Sequence, residues 1–231
     1  MYEQHIIVDF EMNPISKENV EARNILYSEI IEIGAVKLDS HKCVVDQFSI
    51  LVKPQYNEEI ALFVTKLTGI DVGAVKKACG FEQALSKFSE WIGHKKTRMY
   101  SWSNTDLIQL RRECTYKNIR IPENMIRWMD FQVVYPKVMG LDTSYKMSLA
   151  NAAEWYGVEI NKRKAHRALY DAEITAELVR PVLTGEYRKQ AKLLHDSRSS
   201  KETVGNTLGE SFNVIFQQFM KQSSNSLEHI R

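Results

Sequence analysis

The sequence predicts an α/β domain with a mixed β-sheet whose first three strands are antiparallel, flanked by helices. Three strand-like segments come first in the chain, and helical segments then alternate with further strand-like ones. A polar turn at residues 39–41 joins the second and third segments, which favours a hairpin. We find no internal repeat.

The strand predictions rest on apolar and β-branched runs bounded by polar residues. Residues 5–12 (HIIVDFEM) are predicted to form a buried strand that ends in two carboxylates. Residues 29–39 (EIIEIGAVKLD) form the second strand, and residues 45–52 (VDQFSILV) form the third, closed by Pro54. Residues 97–102 are predicted to form another short strand.

Helices are predicted where apolar residues recur every three to four positions. The last of these segments runs from His166 to Val182, and we expect it to stop at Pro181 or soon after. The other helical segments are 81–93, 104–117 with Ser103 or Asn104 as its cap, and 149–156, while 130–139 is a mixed apolar run.

Composition indicates an ordinary globular chain with one substantial core, because 44% of its 231 residues are hydrophobic. The formal net charge is only +2, so a nucleic-acid partner would be held by a local basic patch. Lysine and arginine cluster at residues 162–167 and again at 188–201.

Three distant cysteines argue against a disulfide framework or a thiolate zinc site. We see no signal peptide and no segment that resembles a membrane span, so a reducing cytoplasm is the expected location.

Two parts are predicted along the chain: a domain at residues 1–183 and a helical C-terminal extension at residues 184–231. A polar linker lies near residues 197–209. The helix after it carries one apolar stripe, made of Phe212, Ile215, Phe216 and Phe219. This stripe could fold back on the domain, pair in a homodimer or dock on a partner.

Four acids and one histidine from distant segments are the candidate site. Asp9 and Glu11 are two apart on a strand, so they face the same side. Two such acids repel each other unless a cation lies between them, and oxygen ligands favour Mg²⁺ or Mn²⁺. With Asp106 and Asp171 they could hold two metal ions that clamp a phosphodiester. His166 could take the proton from the attacking water, since histidine titrates near neutrality.

The spacing of His166 and Asp171 sets a geometric condition. Five positions do not lie on one face of a regular helix. Both side chains reach one site only if His166 lies at or before the start of the helix.

Structural alternatives exist for each candidate taken alone. An Asp-x-Glu sequence at a strand end is also a common turn composition. Asp106 could be a first-turn acid favoured by the helix dipole. His166 could be a solvated histidine in a basic loop.

Three motifs in order resemble the DEDDh family of 3′–5′ exonucleases, which includes RNase T and the epsilon subunit of DNA polymerase III. They are VDFEM with Asp9 and Glu11, WSNTDLIQL with Asp106, and HRALYDAEITAEL with His166 and Asp171. The resemblance covers about residues 5–182. DFE followed by EIIEIG looks most like the Eri-1-like/KapD group of that family.

The resemblance implies a ribonuclease H-like fold and a two-metal exonuclease that acts on single-stranded 3′ ends, with RNA favoured over DNA. Asp9, Glu11, Asp106 and Asp171 would be metal ligands, and His166 the general base. The candidate substrate contacts are Phe10 and Met12 at the terminal sugar and Leu67, Thr68 and Ile70 at the last base. Plain core packing is the alternative for Phe10, Met12, Leu67 and Ile70. DNA repair or proofreading, or a weakly catalytic nucleic-acid-binding regulator, are the alternative functions.

Overall fold

The computed structural model describes residues 2–57, 59–141, 143, 146–161 and 163–189. Those up to Tyr187 belong to one compact unit. The predicted linker, the final helix with its apolar stripe, and Lys162 lie outside the described residues, so the predictions made for them stay predictions.

The described strands form one six-stranded sheet. They are β1 (Gln4–Pro14), β2 (Ser28–Leu38), β3 (Val44–Lys53), β4 (Cys79–Gly80), β5 (Thr97–Ser101) and β6 (Trp128–Asp130), in the spatial order β4-β3-β2-β1-β5-β6. β1, β2 and β3 are antiparallel, whereas β5 and β6 add parallel to β1, and β4 parallel to β3. This confirms the predicted mixed sheet. The sequence did not predict β4 and β6, which are only two and three residues long.

Eight α-helices of the described chain connect and cover these strands. They are α1 (Val20–Arg23), α2 (Leu62–Thr68), α3 (Val72–Lys76), α4 (Phe81–Ile92), α5 (Thr105–Tyr116), α6 (Phe131–Met139), α7 (Leu149–Tyr156) and α8 (Ala168–Thr184). In the part of the chain that the structure describes, no helix is long and apolar enough to cross a membrane.

Alternation along β1 separates the core from the candidate site. Ile6, Val8 and Phe10 point to one face and join a core cluster with buried residues of α4 and α5. Asp9 and Glu11 therefore point to the other face, where α8 packs across β1 and β2. The strand thus presents an apolar row on one side and its acids on the other.

The predicted start of α8 needs correction. The helix begins at Ala168, because His166 has a backbone φ of 63° and cannot belong to a regular helix. At its other end the helix passes through Pro181 and stops soon after, at Thr184, as expected. Proline removes one backbone donor near the end of the helix, and the burial of Val179 and Pro181 offsets that loss.

Gly34 on β2 allows the start of α8 to contact the sheet directly. A Cβ atom at this position would overlap the backbone of Ala168 and Leu169. Since Gly34 pairs with Asp9 on β1, this close approach brings α8 to the position where the acids point.

We expect Gly34→Ala to destabilise the protein by about 3 kcal/mol or more, because rigid backbone would have to move to accommodate the methyl group. Urea unfolding followed by circular dichroism measures the change. Gly80→Ala is the matched control, since a Cβ there would meet no heavy atom within 4 Å. Equal stability of the two variants would contradict the proposed contact.

Candidate active site

Three acids from two elements converge at the face of β1 that α8 covers. Asp9, Glu11 and Asp171 each offer a carboxylate oxygen, and these oxygens lie within 4.8 Å of one another. Asp171 lies in the first turn of α8. The structure therefore brings together three of the four predicted acids as one cluster.

A β-bulge lies beside this cluster. Glu11 pairs with Glu32, whereas Met12 pairs with Ile30, so Ile31 is an extra residue on β2. Bulges bend a strand and change the direction of its side chains. The regular pairing of β1 with β2 is therefore interrupted beside the second acid of the site.

Asp106 reaches the same region from the other side of β1. Strand β5 pairs with β1 only as far as Ile7 and Tyr100, so later N–H groups on that side lack a strand partner. The Phe10 N–H donates to Asp106 Oδ1 at 3.0 Å. Asp106 is thereby fixed close enough to Asp9 to raise the pKa of that carboxyl.

The acids strongly perturb one another. Burial raises the pKa of Asp9 well above its usual range, and the charges of Asp106, Glu11 and Asp171 raise it further. Burial, with Asp171 next in importance, raises the pKa of Glu11 to about 8. Burial also raises the pKa of Asp106 to about 7. Such a group of carboxylates is charged at neutral pH only at a cost that a cation would remove.

His166 meets the geometric condition that the sequence set. It lies two residues before α8 and is exposed. Its backbone N–H donates to Asp171 Oδ2 at 3.3 Å. The charge of His166 lowers the pKa of Asp171, opposing the larger effect of burial. The left-handed backbone at His166 allows both residues to lie at one site despite their spacing.

Sequence reasoning missed Glu32, which is buried on β2 directly opposite Glu11. Its carboxylate binds Arg167, one of the basic residues that cluster at 162–167. A signal was present in the sequence: an acid in the interior of an apolar strand needs a partner. The identity of that partner, 135 positions away, was not visible.

The side chains of Phe10 and Met12 lie mainly with the core. Phe10 is buried and its ring lies 6.3 Å from that of Trp128, while half-buried Met12 packs against the same cluster. Their backbone runs directly past the acids. Contact with a terminal sugar stays a prediction, and the Phe10 side chain matches the packing alternative.

The three predicted base contacts are placed differently. Ile70 is buried in a small cluster with Ile31 and Val64, which matches the alternative that it packs in the core. The Thr68 hydroxyl donates to Val64 O within α2. Leu67, with half of its surface accessible, is the one that solvent reaches freely.

Helix α2 presents an exposed apolar surface close to the acids. Its residues Leu62, Phe63 and Leu67 are 69%, 62% and 51% exposed. Asn13, two positions beyond Glu11, fixes the start of the helix by accepting from Ala61 N and donating to Glu59 O. We did not anticipate the roles of Asn13, Leu62 and Phe63 from the sequence.

The sheet order and the acids gathered from β1, α5 and α8 define the class of ribonuclease H-like exonuclease domains. A family model described as an exonuclease, RNase T, matches residues 6–179. The chain belongs to this family, and its relatives identify the DEDDh group of 3′–5′ exonucleases.

Relatives with different names share this domain. The chain is 28% identical to ERI1 exoribonuclease 2 of Danio rerio over 78% of this chain and 35% of that protein. It is 29% identical to the probable 3′-5′ exonuclease KapD of Bacillus subtilis, over 72% of this chain and 78% of KapD. A PolC-type DNA polymerase III of Caldanaerobacter subterraneus is 30% identical over 76% of this chain, which spans only 11% of that polymerase.

Solved structures support the fold. The nuclease domain of 3'hExo, a DEDDh family member bound to rAMP, superposes with a TM-score of 0.69 at 25% identity, over 80% of this chain and 93% of that one. Escherichia coli exonuclease I in complex with a dT13 oligonucleotide has a TM-score of 0.62 at 15% identity, over 83% of this chain and 43% of that one, and shows the fold alone.

Proposed function

We propose that this protein is a metal-dependent 3′–5′ exonuclease that hydrolyses single-stranded nucleic acid, RNA in preference to DNA, to 5′-monophosphates. The observation that carries the proposal is the cluster of Asp9, Glu11 and Asp171, with Asp106 beside it and His166 at its edge. Residues 1–183 would form the exonuclease domain.

The donor set fits two Mg²⁺ or Mn²⁺ ions, held by Asp9, Glu11, Asp106 and Asp171, since all four offer hard oxygen ligands in a buried, mutually repelling group. When bound, such ions neutralise charge on a phosphodiester and make water a stronger nucleophile. His166 then accepts the proton of the attacking water. The exposure of His166 lets it pass that proton to solvent.

The exposed apolar surface of α2 supports a substrate with splayed bases. Leu62, Phe63 and Leu67 offer a face on which the terminal bases pack, at the end of α2 and β1 nearest to the acids. A duplex end would have to unpair to place its last phosphodiester at the cluster. Main-chain groups of Phe10 and Met12 would contact the terminal sugar.

RNA is favoured because several relatives are named exoribonucleases. The PolC-type relative keeps DNA as the alternative substrate. A regulator that binds without catalysis is less well supported, since all five site residues are present.

Matched oligonucleotides test the proposal. Single-stranded RNA and DNA of one sequence, labelled at the 5′ end, are incubated with the protein and Mn²⁺. Stepwise shortening of the RNA, faster than that of the DNA and absent with EDTA, is the expected result. Faster shortening of the DNA would select the alternative substrate. Binding without shortening of either strand would support the regulator and contradict the exonuclease.

Divalent cations should stabilise the protein, and more so at higher pH. In the fold, burial and the neighbouring acids raise the pKa of Glu11 from its ordinary value of 4.5 to about 8. Between these values unfolding releases a proton, so the stability of the metal-free protein falls as pH rises. Cations bind the charged carboxylates and offset that loss.

We therefore expect saturating Mn²⁺ to raise Tm at pH 8 by about 5–10 °C, which corresponds to roughly 3 kcal/mol for a ligand near 100 times its Kd. The increase at pH 5.5 should be less than about half of that. Differential scanning fluorimetry measures both values. An equal shift at the two pH values would contradict cation binding by these acids.

A further inference from the structure

Glu32 is a buried acid whose two carboxylate oxygens are both held by hydrogen bonds. Its side chain is about 1% exposed, in the interior of β2. Oε1 accepts from Arg167 Nη2 at 2.6 Å, and Oε2 accepts from Arg167 Nε at 3.1 Å. Oε2 also accepts from the backbone N–H of Ala168 at 3.0 Å. A bidentate pair of this kind fixes both partners in position and orientation.

The contact to Ala168 replaces a missing helix cap. Arg167 occupies the N-cap position of α8, and its side chain has no acceptor to offer to the first N–H groups of the helix. Glu32 supplies that acceptor from β2, and its negative charge is also favourable beside a helix N-terminus. The start of α8 is thereby bound to the sheet, at the point where Gly34 allows backbone contact.

His166 lies between two fixed points as a result. On one side, its own backbone N–H donates to Asp171. On the other, the side chain of its neighbour Arg167 binds Glu32. A left-handed backbone costs a non-glycine residue about 1–2 kcal/mol. The conformation at His166 persists only where its surroundings enforce it.

We propose that Glu32 is a positioning residue for hydrolysis: by binding Arg167 and capping α8, it fixes the backbone that places His166 at the acid cluster. The inference rests on the proposed function, because it concerns the same reaction. Glu32 is not among the carboxylates that converge as candidate metal ligands, and both of its oxygens are already bound by donors.

Glu32→Gln is the direct test, because glutamine keeps the size of the side chain while losing the ion pair with Arg167. We expect kcat to fall about 10- to 100-fold, as for loss of an outer partner of an active-site ligand, with KM nearly unchanged. Assays use saturating Mn²⁺, since Glu32 lies close to Glu11. In a His166→Asn background the same substitution should reduce the residual rate no further.

Glu29→Gln is the matched control. Glu29 is another buried acid of β2 that binds backbone N–H groups, those of Gln55 and Tyr56, away from α8. A general loss of stability would affect both variants alike. Only Glu32→Gln should lower kcat in the wild-type background and become silent when His166 is absent.

Hydrogen exchange gives a readout that does not depend on activity. In the metal-free protein, the peptide that covers residues 163–170 should exchange at least about tenfold faster in Glu32→Gln than in the wild type or in Glu29→Gln. Arg167→Gln, which removes the exposed partner of the pair, should also lower kcat and speed exchange at residues 163–170. If the wild type degrades no nucleic acid, the proposed function fails, while the exchange result still decides the contact.

Two results would overturn the inference. One is a loss of kcat in Glu32→Gln that is equally large with and without His166, which would mark a general structural role. The other is unchanged kcat together with unchanged exchange at residues 163–170.

Discussion

Asp9→Asn is expected to abolish hydrolysis and to make the metal-free protein more stable. Burial raises the pKa of Asp9 well above its usual range, and the charges of Asp106 and Glu11 reinforce that effect. Loss of a proposed metal ligand should reduce kcat on the order of a thousandfold or more, beyond the 10- to 100-fold typical of outer partners. In the metal-free fold this carboxyl must either take up a proton or bear its charge among the other acids, and asparagine avoids both costs. The free energy of unfolding at pH 8 should therefore rise by about 1 kcal/mol or more.

Steady-state kinetics and urea unfolding of the same preparation measure the two effects. Glu173→Gln is the control, because this acid lies two residues after Asp171 on α8 but bonds to Gln47 of β3. Its activity should stay within about twofold of the wild type. Retained activity in Asp9→Asn, or a loss of both activity and stability, would contradict the assignment of this acid.

Replacement of His166 should lower kcat by roughly 10²- to 10⁴-fold, the range for loss of a general base. The effect on stability should be small, because the side chain is exposed. Two variants are needed, since alanine also disfavours the left-handed backbone at this position. Asparagine tolerates that backbone, so His166→Asn isolates the loss of the imidazole.

Calorimetric titration with Mn²⁺ separates catalysis from metal binding in these variants. His166→Asn should bind Mn²⁺ as the wild type does, and His94→Ala, at an exposed histidine before β5, should change neither property. A His166→Asn protein that hydrolyses at the wild-type rate would remove His166 from the mechanism. One that no longer binds Mn²⁺ would show that the histidine supports the acids instead.

Local rules of backbone geometry were enough to predict much of the arrangement of the acids. Asp9 and Glu11 share a face because strand side chains alternate, and that holds whatever the strand packs against. The spacing of His166 and Asp171 required a break before the helix, and the left-handed backbone at His166 is that break. Both inferences used only residues near each other in the chain.

Contacts between distant segments could not be predicted from the sequence. The pairing of Glu32 with Arg167 and the role of Gly34 depend on where α8 lands on β2, which no local pattern contains. Burial of Ile70 depends in the same way on a small cluster that closes over β2.

The most direct test of the account is anomalous diffraction from crystals soaked in Mn²⁺ and measured on both sides of the manganese absorption edge. The account predicts two manganese peaks about 3.5–4 Å apart, enclosed by Asp9, Glu11, Asp106 and Asp171. Ordered manganese elsewhere and none among these carboxylates, in protein that shortens RNA, would contradict it.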